Sequence, residues 1–295
     1  MSSSSQAPFP QLEFKHLDTL WLQVTGTLCN LACLHCFISC GPKNDNHPMM
    51  SLEQIEEALA EARRQGTQEY YFTGGEPFMH PQIKEIITHT LAQGPLTILT
   101  NGILIDDAMA AWLAETFQRS RYSFDLRVSL DGTTPEENDA IRGRNTFTQI
   151  MAAIVRLVSH GLNPVITVTT CHAELDGDEG RAAFIALLRE HGISQPRLKF
   201  LAPFKIGREA RRHGGQGCYT PAERLYVDDV PDPLTDHLQC DSCRMVTAKG
   251  VWPCPILIEE EGARMADDLD GALHAIALDH PACYTCHVDG VSCKT

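Results

Sequence analysis

Cysteine is the residue type in this chain whose spacing most clearly points to chemistry. Twelve cysteines occur in 295 residues, and nine of them fall into two groups: Cys29, Cys33 and Cys36 near the start, and Cys240, Cys243, Cys254, Cys283, Cys286 and Cys293 at the end. The first group reads Cys29-Asn30-Leu31-Ala32-Cys33-Leu34-His35-Cys36, a C-x-x-x-C-x-x-C spacing short enough for three thiolates to hold one small inorganic cluster. Three thiolates on four irons leave one iron open, and an open metal position is where a substrate or cofactor can chelate. The opening residues lack the basic and apolar stretches of a secretory signal, so a cytoplasmic location is expected, where a reducing milieu disfavours disulfides. Cys40, Cys171 and Cys218 stand apart and are not counted as ligands.

The tail holds six thiols within 54 residues, too many for ordinary buried apolar cysteines, and this density implies a second metal centre. Its two C-x-x-C pairs, Cys240 with Cys243 and Cys283 with Cys286, also suit a zinc site.

The elements that must position these residues alternate short apolar or β-branched runs with helical periodicity, the pattern of βα units around a parallel sheet. Six strands are expected: Leu20 to Thr25, Glu69 to Thr73, Leu96 to Thr100, Phe124 to Leu130, Pro164 to Thr170 and Arg197 to Leu201. Five helices lie between them. The first carries a Ser51/Gln54 capping box and an apolar face of Leu52, Ile55, Leu59 and Ala62. The others are centred on Ile83 to Leu91, on Met109 to Phe117, on Thr146 to Val158 and on Asp178 to His191. The class is therefore α/β, a partial (β/α)6 TIM-type barrel over residues 1–208. A small cysteine-rich domain follows over 209–295, with a hairpin from Met245 to Val251 turning at Lys249-Gly250 and a helix around Asp268 to Leu278.

The first cysteine motif, joined to Gly74-Gly75-Glu76-Pro77 after the second strand, resembles the radical S-adenosylmethionine (SAM) superfamily. Thr100-Asn101-Gly102, Ser129-Leu130-Asp131-Gly132 and Pro203 to Arg208 are similar to its peptide-modifying and cofactor-maturing branches. Each of these stretches follows a strand's C-terminal end, the catalytic face of βα barrels. The resemblance implies a 4Fe-4S cluster whose open iron is chelated by the SAM amino and carboxylate groups. It also implies reductive cleavage of SAM to a 5'-deoxyadenosyl radical that removes hydrogen from a substrate. By the same resemblance Gly74, Gly75 and Glu76 receive the SAM amino group, while Ser129 and Arg142 serve the ribose and carboxylate. His35 stands where the family often has an aromatic, which makes it either an adenine contact or an ordinary loop histidine. Asp131 either touches SAM or substrate or shapes the turn that Asp-Gly favours. In the tail, Cys240 or Cys243, Gly250, Cys254 and Cys283-x-x-Cys286 resemble a twitch domain, the shortened relative of the SPASM auxiliary-cluster module. One auxiliary 4Fe-4S cluster is expected; which of Cys240, Cys243 and Cys293 join it stays open.

With 38 acidic against 24 basic side chains, the net charge of −14 disfavours direct nucleic-acid binding, and no apolar run reaches bilayer length. Ser129 to Gly132 followed by Asp139 to Gly143 looks like the peptide-maturing branch, so a peptide is the expected substrate. A sugar, an aminoglycoside or a tetrapyrrole is the small-molecule alternative, and a non-catalytic metal-binding scaffold is the alternative from another class. No peptide-recognition domain fits before Leu20, so a peptide substrate calls for a separate recognition partner, and cluster reduction calls for a flavodoxin or ferredoxin.

Overall fold

Five- and six-residue runs rich in β-branched and apolar residues form the strands of the computed structural model, which describes residues 9–212, 218–227 and 238–290. A two-residue strand, β1 (Gln11–Leu12), is followed by β2 (Thr19–Gln23), β3 (Glu69–Thr73), β4 (Leu96–Thr100), β5 (Phe124–Ser129), β6 (Val165–Thr169) and β7 (Arg197–Leu201). From β2 to β7 each strand pairs in parallel with the next. All six expected strands are present, with ends moved by at most two residues.

Helices α1 (Leu52–Arg64), α2 (Ile83–Leu91), α3 (Asp107–Arg119), α5 (Thr146–Ser159) and α6 (Gly177–Glu190) connect them as the periodicity requires, and α4 (Pro135–Arg142) is an addition the sequence reading did not foresee. Its signal was local: Thr134 and Glu137 form a reciprocal capping box, with Pro135 at the first turn. Helix α5 begins at Thr146, as expected. Its first amides are held by the Asp139 carboxylate, which accepts from Phe147 N at 2.8 Å.

Strand alternation divides labour between the two faces of the sheet. Leu20, Leu22, Phe72, Ile98, Leu126, Val128, Ile166 and Val168 pack outward in the main core with Ile55, Leu59, Ile86, Leu113, Ile150 and Leu157 of the helices. Trp21, Leu99, Arg127, Thr167 and Lys199 line the interior.

The tail departs from the sequence reading. Its hairpin, β8 (Cys243–Thr247) and β9 (Gly250–Trp252), pairs Thr247 with Gly250, so Ala248 and Lys249 make the turn. Strand β8 runs parallel to β2 and extends the barrel sheet to the order β7-β6-β5-β4-β3-β2-β8-β9. The helix expected around Asp268 to Leu278 is instead a 3-10 turn at Asp270–Ala272 followed by β10 (Ile276–Ala277), which pairs with β1. Leu269 and Ala272 are buried at helical spacing, but Leu273, with φ −86° and ψ 60°, breaks the run. A short helix, α7 (Gly207–Arg212), follows β7, and α8 (Ala282–Val288) carries Cys283 and Cys286. Among the described residues no helix is long and apolar enough to cross a membrane.

Candidate functional site

Cys29, Cys33 and Cys36 lie in the loop that leaves β2, and all three line one cavity at the C-terminal ends of the strands. The loop is held by main-chain carbonyls turned toward a single side chain. Arg208 donates from Nε to Cys33 O at 2.8 Å, from Nη1 to Ser39 O at 2.8 Å and from Nη2 to Cys40 O. Its own amide donates to Cys36 O at 3.0 Å. Gly207 makes this approach possible, because a Cβ there would stand 2.0 Å from Phe37 O.

The thiols differ electrostatically. The Cys40 thiol and the Arg208 guanidinium hold Cys36 below the usual thiol range, whereas burial pushes Cys29 up to about 12. Cys40 lines the same cavity and its Sγ lies 3.7 Å from Gly74 O; it is a neighbour of the donor set that the sequence reading set aside. Cys171 lies at the end of β6, and Cys218 is exposed.

Gly74 and Gly75 border the cavity. Gly75 presses on the cysteine loop so closely that a Cβ would meet Leu28 O at 1.8 Å. The Glu76 side chain stands one layer behind. Its carboxylate accepts from Phe78 N at 3.1 Å, Thr100 Oγ1 at 2.7 Å and Asn101 N at 2.8 Å, so in this structure it joins the loops after β3 and β4. Burial pushes it up to about 7.

Asp131 resolves into a third role. Fully buried, it accepts from Thr169 N at 2.9 Å and faces both His35 Nε2 at 2.5 Å and Arg142 Nε at 2.7 Å. Burial opposes its ionisation, but Arg142 and His35 hold it well below the usual carboxylate range. One carboxylate thus orients two of the expected cofactor contacts, and His35, Ser129 and Arg142 all line the cavity. Arg142 Nη1 also reaches within 4.0 Å of Cys33 Sγ.

In the tail, Cys240, Cys243, Cys254, Cys283 and Cys286 line a second, mostly apolar cavity with Leu238, Ile256, Leu257 and Leu278. Cys293 lies outside the described residues. Burial raises Cys240, and the four neighbouring thiols raise it further. Arg244 holds this loop, donating to the carbonyls of Cys240 at 2.8 Å, Cys243 at 2.6 Å, Ala272 at 2.7 Å and His274 at 2.7 Å. Sequence reading placed Arg208 only at the end of the Pro203 to Arg208 stretch and missed its role and that of Arg244, because their partners are main-chain carbonyls, which leave no residue-type signature.

The donor sets fit iron-sulfur clusters. Three soft thiols stand on one side of an open cavity with glycine backbone beside them, and a second ring of thiols lines an apolar pocket. Among the described residues no three His, Cys, Asp or Glu side chains form a site for a single metal ion.

Comparison with known proteins bears on the family and the fold. The mycofactocin maturase MftC of Mycobacterium ulcerans is 33% identical over 134 residues, covering 45% of this chain and 34% of that protein. The GTP 3',8-cyclase of Chlorobaculum tepidum is 28% identical over 228 residues, covering 75% of this chain and 65% of that protein. The chain therefore spans about a third of the maturase and just under two thirds of the cyclase. A solved structure of native anSMEcpe with bound AdoMet and Cp18Cys peptide superposes with a TM-score of 0.57 at 17% identity, covering 84% of this chain and 77% of that one, and so shares the fold. The Radical SAM superfamily model matches residues 24–193, more than half of the chain, and the chain belongs to the radical SAM superfamily.

Proposed function

We propose that this chain is an iron-sulfur enzyme that cleaves SAM reductively and abstracts hydrogen from a peptide during its maturation. The observation that carries the reading is the single cavity shared by Cys29, Cys33, Cys36, Gly74, Gly75, Ser129 and Arg142. A cluster held by the three thiols supplies the electron that cleaves SAM and thereby the hydrogen-abstracting radical. The chain's own residues bind and orient. Arg208 fixes the thiol loop, Asp131 fixes Arg142 and His35 toward the cofactor, and Gly74 and Gly75 present backbone to the SAM amino group.

Cys240, Cys254, Cys283 and Cys286, with Cys243 and Cys293 as the remaining candidates, would hold one auxiliary 4Fe-4S cluster. Pro255 and Ile256 line both cavities, so a centre in the tail would stand behind a wall of the substrate space. A boundary near Arg208 separates the two cysteine groups into units 1–208 and 209–295. Peptide maturation is favoured by the mycofactocin maturases and by the 30% identity over 136 residues to the subtilosin biosynthesis protein AlbA of Bacillus subtilis. A small-molecule substrate is the second reading, favoured by the longer match to the cyclase. A cytoplasmic enzyme of this kind draws its electron from a flavodoxin or ferredoxin.

Anaerobically reconstituted, dithionite-reduced protein is expected to convert SAM to 5'-deoxyadenosine, and co-expression with a genomically adjacent precursor peptide is expected to change that peptide's mass. Absence of 5'-deoxyadenosine with cell extract supplying substrate overturns the radical reading. An unmodified peptide beside active SAM cleavage shifts the substrate to a small molecule.

A further inference from the structure

Below the cofactor level the barrel interior carries an arrangement that the proposed reaction leaves unassigned. On β5 and β7 the inward positions are Asp125, Arg127 and Ser129, and Arg197, Lys199 and Leu201, because their alternates pack in the outer core. At the lower level Asp125 and Arg197 reach across β6 and form a two-pronged ion pair, Nη1 to Oδ1 at 2.7 Å and Nη2 to Oδ2 at 3.2 Å. One step up the same two strands the pair is Arg127 and Lys199, at the same offset, with Thr167 of β6 between the strands that carry them. Where the lower level matches opposite charges, the upper level brings two cations to one wall of the cavity.

Arg127 is buried and set in place by aromatic rings: its guanidinium lies 5.1 Å from the Tyr71 ring centroid, and Tyr71 stacks on Trp21 at 4.4 Å. Both cations also hold contacts within the protein. Five N–H donors on an arginine and three on a lysine still allow each to serve a ligand as well. A further donor between these strands points to a ligand independently. Thr167 Oγ1 is buried without a hydrogen-bond partner, and Thr167 lines the cavity. An unmet buried donor is costly unless something accepts from it. Above this floor Leu31, Leu99, Leu201, Phe204 and Ile256 supply an apolar part of the lining.

We propose that Arg127 and Lys199, with Thr167, bind an oxyanion on the substrate, so that the molecule enters with an apolar body toward the thiol loop and its carboxylate or phosphate against β5 to β7. The inference rests on the reading of this cavity as the substrate site. It defines the substrate as an acid in a chain whose overall charge of −14 gives no hint of it.

The test is calorimetry on the anaerobically reconstituted protein with SAM present, using 3-phenylpropanoate, its neutral primary amide, and phenyl phosphate as probes. The acid is expected to bind at least about tenfold more tightly than the amide. That preference is expected to collapse in Arg127→Gln and in Lys199→Gln and to survive in Lys199→Arg. Iron content and near-ultraviolet circular dichroism establish that each variant is folded and loaded. Phenyl phosphate exceeding the carboxylate identifies a phosphate as the oxyanion, and the reverse identifies a carboxylate. Equal binding of acid and amide, no binding of either, or a preference that persists in both glutamine variants overturns the proposal. Formation of 5'-deoxyadenosine by the unmodified protein is scored separately, so failure of the radical reading is distinguishable from failure of the oxyanion site.

Discussion

Around the first cysteine group Arg208 donates to the carbonyls of Cys33, Ser39 and Cys40, and around the tail group Arg244 donates to those of Cys240, Cys243, Ala272 and His274. In both regions an arginine gathers carbonyl oxygens and so fixes the path of a loop that presents thiols. What surrounds the thiols differs. The first group faces a cavity that also contains Arg142, His35, Ser129, Asn101 and glycine backbone. The tail group faces Leu238, Ile256, Leu257, Leu278 and further thiols, with no carboxylate or cation on the described lining. The contrast teaches which centre can exchange a ligand: polar groups beside three thiols can receive a cofactor, while a ring of thiols in an apolar wall closes on its metal and carries electrons or holds the fold.

The strongest way to break this comparison is to empty each site in turn. Changing Cys29, Cys33 and Cys36 to alanine is expected to abolish 5'-deoxyadenosine formation and to lower iron from about eight to about four per chain, the content of two 4Fe-4S clusters falling to one. Changing Cys283 and Cys286 to alanine is expected to remove a similar amount of iron, yet to leave measurable SAM cleavage. Equal loss of cleavage in both variants would mean that the two centres are not functionally distinct.

Asp131→Asn comes next. Asp131 is fully buried between Arg142 and His35, and removing one partner of a buried charge pair costs about 3–5 kcal/mol. Chemical denaturation of the anaerobic protein reads this loss, and SAM affinity is expected to fall with it. A change of under about 1 kcal/mol, as for an exposed pair, would remove Asp131 from the role given to it.

The two arginines give a finer comparison. Arg208→Gln is expected to cost about 1.5–3 kcal/mol, the range for hydrogen bonds to a charged donor, and to speed iron loss to a chelator from the first site. Arg244→Gln is expected to cost more, because Arg244 is fully buried and serves four carbonyls. It is also expected to release iron from the tail first. Release from the same site in both variants would show that the arginines do not act locally.

Much of this was legible in the sequence wherever a period or a short spacing encodes it. The six parallel strands follow from apolar runs, and Cys29, Cys33 and Cys36 come together because only six residues lie between the first and the last. What stayed hidden was carried by distant or main-chain partners. Asp131 gave a turn signal, but its contact with His35 spans 96 positions. Arg208 and Arg244 bond to carbonyls that every residue possesses. The pairing of β8 with β2 joins the two ends of the chain, and neither strand's composition names the other. Around Asp268 to Leu278 helical spacing extends only from Leu269 to Ala272, which anchor a turn, while the buried Leu278 closes a strand instead.

The smallest expected effect separates the regions by pH. Two carboxylates near the first site shift in opposite directions, and the described lining of the tail cavity contains none. Asp131 is held low, so its stabilisation is complete above the ordinary carboxylate range and is lost as pH falls through that range and below. Glu76 is raised from 4.5 to about 7 by burial, so between these values the folded chain keeps a proton that the unfolded chain has released. The folded state then binds more protons, and the stability this group contributes declines as pH rises through that window. Glu76→Gln removes the titration. Its urea midpoint is therefore expected to fall less than that of the unmodified protein between about pH 5.5 and about pH 7.5. A parallel fall in the two proteins would mean that Glu76 does not change its protonation there, and that the donors Phe78 N, Thr100 Oγ1 and Asn101 N keep it ionised throughout.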